Sequence, residues 1–339
     1  MVVLARTTQY NRITSPEKLE QVHPDNLQLK NDFLTYLKSV QRSDGTITGY
    51  SNDLDIVLVF LLERCGNKRF VDAKKRDWLA FQSWLIDEHG NSPARVRRIK
   101  AAISSLSNFV TNVLQEDEEP GFENFKPTIK GVESPVNTPV REKTILTTAQ
   151  CEALLDQLVQ NEEYQKACVF ALALYSGRRK QELLRFRVSF FDDSNLVYGS
   201  LYRSPVKIQT KGRGNKGKLL TVFTLKDFKP YFDLWMQHRP SEYDGDDLLF
   251  PGLTVATLNS WANTFSRMLG VDFYWHALRH TWTTELARKG VPDNVIQAIQ
   301  GWDSNMVPVY KDIDTIDELG KYFTEDGIRG RPDTTLTEL

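Results

Sequence analysis

Apolar positions recur every three or four residues through most of this chain, the spacing of helical faces, and the pattern breaks at a few sharp places. From Leu27 onward, Leu29, Phe33, Leu34 and Leu37 fall on one face. Asp44-Gly45 marks a turn, and Tyr50 to Cys65 carries a second apolar helix. Asp72 is placed to cap a third, whose stripe is Trp78, Phe81, Trp84 and Leu85. Gly90-Asn91-Ser92-Pro93 then supplies a break, an N-cap serine and a proline at the first helical position. In the helix that follows, Val96, Ile99, Ile103, Leu106, Val110 and Val113 form the buried stripe, while Arg95, Arg97, Arg98 and Lys100 stand off it. The pattern predicts a four-helix unit over 27–115 with one strongly basic edge. Residues 1–26 lack sustained periodicity and read as a tail.

Residues 116–143 are acidic, then rich in Pro and Thr, and read as a linker. A second domain is predicted over 144–314, opening at Thr147-Thr148-Ala149-Gln150, a cap ahead of Leu154, Leu155 and Leu158. A helix over 162–175 follows. Segments 195–202, 205–210 and 219–225 are rich in β-branched residues and suggest a small antiparallel sheet. Helices return over 227–238, 255–269, 277–289 and 292–299. The expected class is mainly α (α+β), a four-helix domain beside a mostly helical domain with a small sheet. Over 315–339, Asp314 and Thr315 can cap a short C-terminal helix with Ile316, Leu319, Tyr322 and Phe323 on one side, followed by a tail.

Charge complicates this picture. With 43 Lys and Arg against 44 Asp and Glu, the net charge of −1 argues by itself against a nucleic-acid binder, but distribution matters more than the total. Arg95, Arg97, Arg98 and Lys100 form one basic cluster, and Lys207, Lys211, Arg213, Lys216 and Lys218 another; Glu116-Asp117-Glu118-Glu119 offsets them elsewhere. No apolar run is long enough to cross a membrane, and the start, Met1 to Arg6, is too short for a signal peptide. Cys65, Cys151 and Cys168 fit neither a disulfide framework nor a zinc site and are expected to be core thiols in a reducing compartment.

Four motifs carry candidate chemistry: Ser176-Gly177-Arg178-Arg179-Lys180-Gln181-Glu182-Leu183; the Gly- and Lys-rich run Gln209 to Lys218; His276-Ala277-Leu278-Arg279-His280; and Gly301-Trp302 followed by Tyr310. Breaking a phosphodiester without a metal requires a nucleophile, positive charge on the non-bridging oxygens, a proton donor for the leaving oxygen, and geometry. Arginine suits the second task, because its planar fork matches phosphate and stays charged. Other readings of the same motifs are weaker. His276 and His280 are spaced for zinc, but Ala277 stands where the metalloprotease helix has glutamate. Gly212 to Lys218 nearly spells a Walker A loop, but Leu219 replaces Ser/Thr and a strand follows.

In this order, the motifs resemble those of the tyrosine recombinases, the family of the phage integrases, Xer and Cre, over roughly residues 27–323. The resemblance implies that Arg179, in the pattern Thr-Gly-x-Arg-x-x-Glu-Leu with Ser176 for threonine, is the first catalytic arginine, that Glu182 braces it, and that Arg178 is the rival in register. His276 and Arg279 match His-x-x-Arg. The family's acid is a lysine on a β-hairpin turn, a position best filled by Lys211, with Lys207, Lys216 and Lys218 as rivals. Trp302 falls where most members have histidine and Cre has tryptophan; it can donate a hydrogen bond but cannot transfer a proton. Tyr310 lies at the nucleophile's place. Tyr322 is the alternative, because the interval from Trp302 to Tyr310 is one residue shorter than usual.

The same resemblance implies a site-specific DNA recombinase, cytoplasmic and nucleoid-associated, with a core-binding (SAM-like) domain and a catalytic domain clamped around duplex DNA. Arg95, Arg97, Arg98, Lys100, Lys207, Arg213 and Lys216 are then its expected DNA contacts. It would act as a homotetramer on short inverted repeats through a 3′-phosphotyrosine and a Holliday junction, without metal, nucleotide or other cofactor, the need for an accessory protein being open. With 26 residues ahead of the clamp, the expectation is a simple Cre- or Xer-like enzyme without an arm-binding domain. The alternatives are a telomere resolvase, a type IB topoisomerase-like enzyme and a catalytically silent DNA-binding relative.

Overall fold

The computed structural model describes residues 8–136, 145–210 and 218–302, together with the backbone of 323–324 and 327–328. The chain divides into two compact units between residues 142 and 143. It is mostly helical with a small antiparallel component, as the periodicity predicts.

The first unit is built around α4 (Asp44–Arg64), whose residues Leu54 to Leu61 are buried on every face. A helix that is apolar all round must be enclosed by others. Here α3 (Pro24–Ser39) and α6 (Pro93–Phe109) pack against it. Ser43 caps α4, so Asp44-Gly45, expected as a turn, lies in its first turn instead. The third helix, α5 (Lys75–Ser83), starts later than Asp72: Asp77 accepts the Lys74 backbone N–H at 2.8 Å and Lys68 Nζ at 2.6 Å. Asp72 instead sits in a 3₁₀ turn, paired with Arg69 at 2.8 Å. As predicted, Ser92 caps α6 with Pro93 in its first turn, and Val96, Ile99, Ile103, Leu106 and Val110 are buried.

Two stretches depart from the sequence expectation. The described part of the expected tail folds as α1 (Gln9–Ile13) and α2 (Pro16–Glu20), held by burial of Ile13 and Val22 and by Tyr10 Oη donating to Asp55 at 3.0 Å. The expected linker also contributes to the first core. Phe125, Ile129 and Val132 are buried, and Thr128 Oγ1 accepts from Trp78 Nε1 at 3.0 Å. Single apolar residues in an aperiodic stretch found partners that periodicity does not reveal.

In the second unit, α7 (Thr148–Gln160) begins at the capping box of Thr147 and Gln150. α8 (Tyr164–Ser176) is the central helix, with Ala167 to Ala173 all buried. After α9 (Lys180–Leu183) come, among the described residues, five short strands. β1 (Leu196–Val197), β2 (Leu201–Arg203) and β5 (Phe223–Leu225) form an antiparallel sheet in the order β1-β2-β5. β3 (Ile208–Thr210) and β4 (Lys218–Leu220) form a separate antiparallel pair, Thr210 opposite Lys218. α10 (Lys229–His238), α12 (Trp275–Arg288), α7 and β5 surround α8. Phe170 meets Phe265, on α11 (Val255–Leu269), edge-on, and the α12 residue Trp275 donates to Leu258 O at 2.6 Å. α13 (Asp293–Gln300) is short and ends at Gly301.

Backbone pairing joins β6 (Phe323–Thr324) to β7 (Gly327–Ile328), so the predicted C-terminal helix does not extend to Phe323; its remainder lies outside the described residues. Among the described residues no helix is long and apolar enough to cross a membrane.

Candidate active site

The site is assembled around the exit of α8. Gly177 ends that helix with φ of +61°, and a Cβ there would approach the Trp282 ring to 2.8 Å, so both conformation and space call for glycine. The next two residues diverge. Arg178 is 1% exposed and turns inward. Arg179 caps α9, and its side chain keeps 29% of its surface open while Nη1 donates to Glu182 Oε1 at 2.9 Å. Glu182 closes the loop by accepting the Arg179 backbone N–H at 3.2 Å. Of the two rivals in register, Arg178 is the buried guanidinium and Arg179 the partly exposed one.

Arg279, on α12, is fully buried and joins two chain segments. Its Nη1 donates to Gly177 O at 2.9 Å and its Nη2 to Gln300 O at 3.3 Å, while its guanidinium carbon lies 5.1 Å from the centre of the Trp302 ring. The His276 ring, on the first turn of α12, stands edge-on to His280 at 5.3 Å. Burial, then the neighbouring charges of His280, Arg279 and Arg179, push the His276 imidazole down to about 4. It is neutral at pH 7. Burial alone would raise the Glu182 carboxyl, but the charges of Arg178 and Arg179 and the hydrogen bonds from Arg179 hold it below its ordinary value.

The β3–β4 pair reaches this cluster from two sides. Arg185 Nη1 donates to Gln209 O, and Leu220 lies against Gly301 so closely that a Cβ on that glycine would approach it to 2.8 Å. Gly301 has φ of +69°, and the Trp302 N–H donates to Gln297 O at 3.1 Å, turning the chain back over α13. The structure thus brings together Arg179, Glu182, His276, Arg279 and Trp302. Lys211, Arg213, Lys216, Tyr310 and Tyr322 lie outside the described residues; Lys207 is exposed just ahead of β3 and Lys218 opens β4. Among the described residues, no group of three or more His, Cys, Asp and Glu is arranged to hold a metal ion.

The basic edge of the first unit is less open than its sequence suggests. Arg95 and Arg98 both pair with the buried Asp53 of α4, at 2.5 and 3.2 Å. Lys100 donates to Val132 O and to Ser134 Oγ. Arg97 is exposed and has no ion-pair partner among the described residues. Sequence reasoning passed over Asp53, Gln300 and Leu220; only their distant partners make them part of either site.

The model of the phage integrase family matches residues 144–315, just over half of the 339. The chain belongs to the phage integrase family. This integrase is similar to the SPbeta prophage-derived recombinase-like protein YomM of Bacillus subtilis (strain 168), 27% identical over 249 residues, which cover 73% of this chain and 72% of that protein. A tyrosine recombinase of Thermosipho africanus (strain TCF52B) is 26% identical over 281 residues, covering 79% and 89%. Two solved structures share the integrase's fold. The Tn1549 transposon integrase in complex with a circular intermediate DNA superposes with a TM-score of 0.63 at 19% identity, covering 87% of this chain and 97% of that one. The XerH site-specific recombinase bound to a palindromic difH substrate gives 0.61 at 19% identity, covering 81% and 79%.

Proposed function

We propose that this integrase is a site-specific recombinase that cleaves and rejoins duplex DNA through a 3′-phosphotyrosine. The observation that carries the reading is the convergence of Arg179, His276, Arg279 and Trp302, drawn from three separate segments of the chain. In the proposed reaction the Tyr310 oxygen attacks phosphorus and the bond to the 5′-oxygen breaks. Once the negative phosphate is bound and offsets the neighbouring cations, His276, neutral beforehand, takes the phenolic proton, and Lys211 gives one to the leaving 5′-oxygen. Arg179 and Arg279 stabilise the charge that grows on the non-bridging oxygens, and the Trp302 indole N–H helps to hold the phosphate. A tyrosine ester retains the phosphodiester's energy, so rejoining requires neither ATP nor, with this much fixed positive charge, a metal ion.

The partner is double-stranded DNA with short inverted repeats, held by the first unit's basic edge and by the hairpin cations Lys207, Arg213 and Lys216. A homotetramer exchanging strands through a Holliday junction follows from that reading, and it is supported by the lambda integrase tetramer bound to a Holliday junction, which has the same fold. The test uses nicked duplexes with randomised repeats, from which wild-type protein is expected to recover a covalent adduct. On the recovered duplex, Tyr310→Phe should form no adduct while binding almost unchanged. Cleavage by Tyr310→Phe, together with its loss in Tyr322→Phe, would move the nucleophile to Tyr322. No adduct from any duplex with wild type would leave a silent DNA-binding protein.

A further inference from the structure

Arg178 has no role in the reaction above, yet it is among the largest fully buried side chains of the molecule. Its Nε donates to Ser176 O at 3.2 Å, and its Nη2 to Ile299 O at 2.8 Å and to Gln300 Oε1 at 3.2 Å. Its Nη1 is buried without an acceptor among the described residues. Burial lowers this guanidinium to about 10, against the opposing pull of Glu182. As a way of filling space this is expensive: a buried charge with an unmet donor is stabilised less than an apolar side chain of similar volume. What the fork does, and an apolar chain cannot, is join the exit of α8 to the last turn of α13. Ile299 O accepts from Arg178 and Gln300 O accepts from Arg279, so two guanidiniums grip successive carbonyls of one helix end. The next two residues are Gly301 and Trp302.

We propose that Arg178 is a positioning residue of the cleavage site: it fastens the end of α13 to the α8–α9 turn and so fixes Trp302 relative to Arg279 and Arg179. The inference rests on the function proposed above. A misplacement of about 1 Å can cost on the order of 10²-fold in rate, whereas the free-energy balance predicts little loss of stability on replacing the buried charge.

The experiment compares wild type, Arg178→Met and Arg178→Lys on the nicked duplex recovered by the wild type. Expected for Arg178→Met are a melting temperature equal to or above wild type, unchanged affinity for that duplex, and single-turnover adduct formation slowed by about 10²-fold. Arg178→Lys, which keeps the charge but not the fork, should fall between the two. Amide exchange over 293–302 should accelerate in Arg178→Met while exchange in α8 stays as in wild type. Wild-type cleavage by Arg178→Met would overturn the proposal. So would a rate that falls only in step with melting temperature and DNA affinity, which is the mark of a purely structural residue. Failure of wild type itself to form an adduct would count against the proposed function, and unchanged exchange at the α13 end would then still refute the positioning role.

Discussion

The two units bury charge of opposite sign. In the first, the buried charged side chains are Asp53, Asp55 and Asp77, each met by cations: Arg95 and Arg98, Lys30, and Lys68. In the second, Arg178 and Arg279 are buried with Glu182 as the one buried acid among the described residues. Their N–H groups go to the carbonyls of Ser176, Gly177, Ile299 and Gln300. A carbonyl satisfies a donor without cancelling its charge, whereas a carboxylate does both. The first unit therefore neutralises part of its own basic edge, while among its described residues the second buries two guanidiniums beside one carboxylate, a surplus of positive charge. The His276 imidazole, lowered to about 4 by burial and then by His280, Arg279 and Arg179, reports that surplus. A phosphate is the natural complement of the second arrangement, and salt-sensitive backbone contact that of the first.

The largest effect is expected where the surplus is removed. Arg279→Gln should slow adduct formation by about 10²–10³-fold, the usual cost of one oxyanion donor, with DNA affinity falling far less. Arg279→Lys, which keeps the charge without the fork, should recover only part of the rate. Comparable losses of binding and cleavage would mean that Arg279 holds the fold and not the reaction.

Acid should separate the units next. Between pH 6.5 and about 4 an unfolded chain binds a proton on His276 that the folded second unit refuses. More protons on the unfolded state mean stability lost as pH falls through that window. In the first unit, burial raises the Asp77 carboxyl, but Lys68 and the Lys74 backbone N–H hold it below its ordinary value. Its contribution is present above that value and lost only as pH falls below it. Burial also lowers His89 of the first unit, but the larger depression is at His276, so hydrogen exchange at pH 7, 5.5 and 4.5 should show the second unit loosening more, and His276→Gln should flatten its loss. Parallel loosening of both units would break the contrast.

Smaller effects belong to the basic edge. Asp53→Asn releases Arg95 and Arg98, so the log–log dependence of DNA affinity on salt should steepen by about one to two. Arg97→Ala should make it shallower by about one, and Arg95→Ala by less. Equal effects of Arg95→Ala and Arg97→Ala would show that Asp53 does not restrain its partners.

Much of this was readable before the fold was known, and particular residues show why the rest was not. The stripe from Val96 to Val110 and the Thr147–Gln150 cap are local signals, and local signals marked those helices correctly. Arg179, Glu182, His276 and Arg279 were legible because their spacing is itself the motif, and the structure brings them together. The helices α1 and α2 were not legible, since each has only five residues and is held by tertiary contacts such as Tyr10–Asp55. Phe125 and Ile129 looked like linker for the same reason. The basic edge was visible, but its partial neutralisation was not, because Asp53 lies some forty residues away on a helix read as apolar. Arg178 and Arg179 are adjacent in sequence, but one is buried and the other partly exposed, a distinction made by Gly177 and the packing of α13 and not by composition.

In the proposed reaction, fixed guanidinium charge in the second unit serves the phosphate by itself. This is tested most directly by the rate of covalent adduct formation by wild-type protein on the recovered nicked duplex, in excess EDTA and again with added Mg²⁺. The same rate is expected in both. Cleavage abolished by EDTA and restored by Mg²⁺ would contradict it.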